Sequence, residues 1–76
     1  MNPYWNEDLV KIDAAETIYS VLDTLVSPED LTTRRPAFRL FRRVVIVECP
    51  EFDDFYLKVH VDRYGFPKKT EVFTYD

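Results

Sequence analysis

The side chains best suited to chemistry near neutral pH are a single histidine, His60, and a single thiol, Cys49. Two arrangements can be drawn around them. His60 can act as a general acid–base group with Asp62, Glu48 or Tyr64 beside it. Alternatively, Cys49 and His60 can form a thiolate–imidazole nucleophile pair. Neither arrangement specifies a third, orienting group. A sheet-surface histidine and a packed small hydrophobe are the commoner uses of these residue types, so no catalytic residue is assigned and His60 stands as the one weak candidate. No C-x-x-C or H-x-x-H spacing offers a transition-metal site. The loop "ECPEFDDF" gathers Glu48, Glu51, Asp53 and Asp54. It lacks the glycine and the regular ligand spacing with which an EF-hand collects oxygens for calcium, and reads as a solvated acidic turn. One glycine in the chain excludes a glycine-rich phosphate loop. The expectation is a protein without metal or cofactor, and not an enzyme.

Charge carries more information. Arg34, Arg35, Arg39, Arg42 and Arg43 make five of the ten residues 34–43 arginine, in a chain of formal net charge -4. Residues 1–33 hold seven acids against Lys11, and residues 34–69 hold nine bases against five acids. An acidic side and a basic side are expected, which bears on partners rather than on fold.

At 76 residues the chain makes one small domain, 1–76. A domain of this size buries only about 60% of its unfolded surface, which leaves a thin stability margin. A lone cysteine excludes an intrachain disulfide and suits a reducing, cytoplasmic compartment. Aromatic residues are 16% of the chain and supply large buried area, and a dimer would add more. No apolar run approaches the roughly 18 residues of a membrane span, and "MNPYWNEDLV" lacks the pattern of a signal peptide. No membrane role is expected.

The elements that must position these residues are legible from their punctuation. Asn6 suits an N-cap, Glu7 and Asp8 complement the dipole, and Trp5 with Val10 sit at staple positions. A helix is expected over about 7–26, with Asp13, Glu16 and Asp23 on its polar side. Its apolar stripe exceeds the roughly 100° of an ordinary surface helix, so it should bury against more than one element. Ser27 and Pro28 open a short second helix over about 28–34, which Pro36 ends. The period then changes to two. Strands are expected over about 37–49, 54–62 and 68–75, with Gly65 in the last turn. This predicts an α+β two-layer fold of order ααβββ, helices packed on a three-stranded antiparallel meander.

If the helix covers Phe38, Leu40, Val44, Ile46, Phe55, Leu57, Val59 and Val61, the open face shows Arg39, Phe41, Arg43, Tyr56, Lys58 and His60. The last strand adds Phe73 with Tyr75, or Val72 with Thr74. An aromatic and basic sheet face fits two classes of partner. Stable protein interfaces are enriched in aromatics and arginine. Single-stranded RNA stacks its bases on rings and sets its phosphates on basic groups.

The leading expectation is a small non-catalytic binding or regulatory protein. It acts through protein contacts on the open face, with a protein partner or as a homodimer, and Arg39, Phe41, Arg42, Arg43, Tyr56, Lys58, Phe73 and Tyr75 carry the binding. Its acidic helix face offers a second docking surface for basic partners. Helices followed by a three-stranded meander bearing basic groups resemble the small ribosome-dependent ribonuclease toxins. Those usually begin with a strand, which "MNPYWN" does not supply. The resemblance implies the alternative, an RNA-interacting, ribonuclease-like protein using the Arg34–Arg43 patch, Lys58 and His60. The overall acidity weighs against nucleic acid, where affinity comes mostly from phosphate neutralisation.

Overall fold

The computed structural model describes residues 4–37 and 43–75. The expected positions Phe38, Arg39, Leu40, Phe41 and Arg42 lie outside the described residues. The fold is α+β: one long helix, a 3-10 turn, and a four-stranded antiparallel sheet.

Helix α1 spans Glu7–Leu22. Its start is as expected, with the Leu9 N–H donating to Asn6 Oδ1 and two acids in the first turn. It ends four residues earlier than the expected 26. Asp23 takes the left-handed conformation (φ 54°) and its N–H closes on Tyr19 O, so no glycine is needed at the stop. The Thr24 hydroxyl then donates to Leu22 O, satisfying one of the last carbonyls of the helix.

The expected second helix, 28–34, is only a 3-10 turn, Pro28–Asp30. Proline at its start and the chain of 28–30 support one turn, but Leu31 is extended and drops into the core at 2% exposure. The residues beyond it, Thr32–Arg34, form strand β1, which sequence reading assigned to helix. Their β-branched threonines fit a sheet edge better than a helix end. The remaining strands are β2 (Val44–Cys49), β3 (Phe52–Val61) and β4 (Pro67–Thr74), and the sheet order is β1-β2-β3-β4. Of the expected strand 37–49, Ala37 and Arg43 are not in strand, and Val44–Cys49 form β2. Arg43 before it has φ 57°, a turn conformation.

Register decides which side chains meet the helix. Val45 pairs with Val59, Val47 with Leu57, and Leu57 with Val72. Paired residues share a face, and these belong to the core with Cys49, Phe55, Val61, Leu31 and the helix residues Val10, Ala14 and Ile18. Val44 and Ile46, expected under the helix, instead pair with His60 and Lys58 on the opposite face. The run "VVIV" is apolar on both sides, so its own pattern cannot orient it. The ambiguity in β4 resolves with Val72 toward the helix and Phe73 outward.

The β1–β2 ladder stops for a chemical reason. Continuing the pairing Arg34↔Ile46 by two would set Pro36 opposite Val44. Proline has no N–H to give, and the Val44 carbonyl is taken by the Tyr4 hydroxyl instead. At the same end of the sheet the turn 62–66 packs against residues 4–6. The Asn6 N–H donates to Gly65 O (2.9 Å), and Gly65 has φ 88°. A Cβ there would stand 3.0 Å from Asn6 N and 3.1 Å from Trp5 Cα, so both space and conformation call for glycine.

Candidate binding face of the sheet

The face away from α1 is built by cross-strand neighbours. One row crosses all four strands: Arg34, Ile46, Lys58 and Glu71. Beside it Tyr56 lies opposite Phe73, with ring centroids 5.3 Å apart and planes inclined by 18°. Tyr75 completes the row at 5.1 Å from Tyr56. Each such aromatic contact contributes about 0.5–1.5 kcal/mol beyond the area it buries. The Lys58 ammonium sits 5.1 Å over the Phe73 ring, so charge and ring stabilise each other.

Between this row and the start of the 35–43 connection lies a recess of about 220 Å³. Val44 and Ile46 form its floor, and Arg34, Lys58, Tyr56 and Tyr75 stand around it. The two floor residues are buried although they face away from the helix. Tyr75 is 54% exposed, the most open of the three rings.

Several charges on this face are already partnered. Arg34 Nε donates to Glu48 Oε1 at 2.9 Å, an exposed pair worth about 1 kcal/mol at most. His60 Nε2 lies 2.8 Å from Glu71 Oε1. That bond, then nearby Lys69, His60 and Lys58, holds the Glu71 carboxyl below the usual carboxylate range against a desolvation that pushes the other way. Glu71 was not among the neighbours proposed for His60 from sequence. Glu48 turns to Arg34, and Asp62 instead accepts from the Tyr64 and Phe66 N–H groups inside its own turn. Those backbone donors, Phe66 first, lower the Asp62 pKa. The signal for the His60–Glu71 pair lay in the β3–β4 register, once Phe73 is placed outward.

Of the residues expected to bind, Tyr56, Lys58, Phe73 and Tyr75 come together as one surface. Arg43 is exposed at the start of β2. Arg39, Phe41 and Arg42 lie outside the described residues. Of the described arginines in the cluster, Arg34 ends β1 instead of the expected second helix, Arg35 lies over the Tyr4 ring at 5.2 Å, and Arg43, expected within a strand, precedes β2 in a turn conformation.

The nucleophile pair is undone by geometry. Cys49 is buried on the helix side, whereas His60 lies on the open side and pairs with Val44 at the other end of β2. Among the described residues no three His, Cys, Asp or Glu side chains converge to hold a metal. Among the described residues no helix is long and apolar enough to cross a membrane. No protein family, curated protein or solved structure matches the chain.

Proposed function

We propose that this chain is a small non-catalytic binding protein whose open sheet face docks a protein surface, a second copy of the chain being the first partner to consider. The observation that carries this is the aromatic row Tyr56–Phe73–Tyr75 standing beside an apolar-floored recess with Arg34 and Lys58 at its rim. Aromatic anchors beside a pocket, with arginine at the edge, are the residue types that dominate protein interfaces. The RNA reading has less support. The faces of Tyr56 and Phe73 are spent on each other and on Lys58, and Glu48 and Glu71 offset Arg34 and His60 on the same surface. A base would have to displace those contacts to stack.

The test is molecular mass by light scattering over a dilution series at low and high salt, for the wild type and for Tyr75→Glu. Because Tyr75 is mostly exposed, the variant should fold. The expected result is a concentration-dependent mass that persists in high salt and is lost in the variant. A monomer at every concentration would remove self-association, and salt-sensitive binding of single-stranded RNA that is lost in Tyr75→Glu would replace this reading with the other.

A further inference from the structure

The wide apolar stripe of α1 is only partly used by the core. Val10, Ala14 and Ile18 point at the sheet, while Ile12 and Tyr19 remain 44% and 57% exposed. The segment after the helix adds to them. Between the left-handed Asp23 and the Ser27 cap position, Val26 packs on the core and Leu25 points out at 85% exposure. The two sides enclose an open groove of about 450 Å³, walled by Ile12, Ala15, Tyr19, Leu25, Val26 and Pro28. The bonds Asp23 N–H to Tyr19 O and Asp30 N–H to Ser27 O fix both ends of the segment that presents Leu25. A clustered apolar surface of this kind marks a contact site, whereas a single exposed leucine would not.

The rim says what fits. Glu16 lines the groove, and Asp8 lies on the same helix face, four residues before Ile12. The turn that supplies Pro28 continues into Glu29 and Asp30. All four acids are exposed, and among the described residues none is in an ion pair. The one base of this region, Lys11, is taken by Glu7 at 3.7 Å. An apolar groove edged, among the described residues, by free carboxylates repels nucleic acid and anionic lipid surfaces, and complements a helix that is apolar on one side and basic on its flanks.

We propose that the groove between α1 and residues 23–28 docks a basic amphipathic helix of a protein partner. The site is separate from the open sheet face and does not depend on the function proposed for it. The probe is a synthetic amphipathic helix of leucine and lysine, titrated into the full chain by calorimetry. Two further peptides serve as controls, one with glutamate in place of lysine and one with the same lysines but serine in place of leucine. The leucine–lysine peptide should bind and both controls should fail. Leu25→Asp should weaken binding at least about tenfold, the effect of withdrawing one buried leucine from a contact. Glu16→Lys should weaken it and flatten the loss of affinity with salt, because an attractive charge pair is gone. Glu48→Gln with Glu71→Gln, which removes acids from the sheet face away from α1, should leave binding unchanged, as should Tyr75→Glu. Equal binding by the glutamate peptide, or equal losses in the Glu48/Glu71 variant, would overturn the proposal in favour of unspecific adhesion. So would a self-associated wild type that Leu25→Asp, but not Tyr75→Glu, turns into a monomer, because the groove would then be filled by a second copy.

Discussion

The two exposed apolar surfaces of this protein differ in how far they satisfy themselves. On the sheet, Tyr56, Phe73 and Tyr75 lean on one another, Lys58 sits over Phe73, and the charges form pairs across strands. On the helix, Ile12, Tyr19 and Leu25 stand apart beside acids with no basic partner among the described residues. A surface whose groups already meet each other gives up contacts when a partner arrives. One whose groups do not meet loses nothing but water. The aromatic face, conspicuous in the sequence, is thus the more self-contained of the two, and the groove is the one with more unspent interaction.

That contrast can be broken first within α1. Ile18→Ala should cost about 2–5 kcal/mol in denaturant unfolding, because Ile18 is fully buried and its removal leaves a cavity. The adjacent Tyr19→Ala should change stability by no more than about 0.5 kcal/mol. A large loss at Tyr19 would mean that the groove is part of the fold and not a free surface. Tyr4→Phe removes the donor to Val44 O at the edge of the sheet face and should cost about 0.5–1.5 kcal/mol, the net worth of one partly buried hydrogen bond.

The self-contained character of the sheet face is sharpened by a double-mutant cycle on Tyr56 and Phe73. A coupling energy of about 0.5–1.5 kcal/mol is expected. A coupling near zero would leave both ring faces available and restore the RNA platform. The smallest effect is in acid. Glu71 has its folded-state pKa lowered, so its share of stability is present above its unfolded pKa and is lost as pH falls through the folded one. Glu71→Gln should flatten the acid limb of the stability profile slightly, its small loss showing above the carboxyl's titration and vanishing in acid.

What could be read from the sequence follows from where a residue's own type decides its place. Asn6, Glu7 and Asp8 announce the helix start because capping is local chemistry, and β3 alternates so cleanly that its buried face, Phe55 to Val61, is legible. The face of β2 was not, since Val44, Val45, Ile46 and Val47 are apolar in both parities and only their partners on β3 orient them. Strand β1 was hidden for a similar reason. Thr32–Arg34 follows a good helix-start signal, and only pairing with Ile46–Glu48 makes it a strand. The stripe on α1 was visibly too wide, and that width implied a second burying element. The structure leaves that side uncovered, which turns a packing expectation into a surface.

The hydrogen bond from Asn6 to Gly65 joins the beginning of the helix to the last turn of the chain. Its consequence is one of timing. The hairpins β2–β3 and β3–β4 close through short turns, at little cost in loop entropy. The Asn6–Gly65 contact, and the Trp5 packing beside it, must wait until the long intervening segment is in order. A bond formed that late is absent from the folding transition state, so weakening it speeds unfolding and leaves the folding rate nearly unchanged. In a stopped-flow chevron followed by circular dichroism, Trp5→Phe should lift the unfolding limb alone, whereas Gly65→Ala, which also strains the early β3–β4 turn, should lower the folding limb as well. The clasp governs how long the native state lasts, not how quickly it is reached.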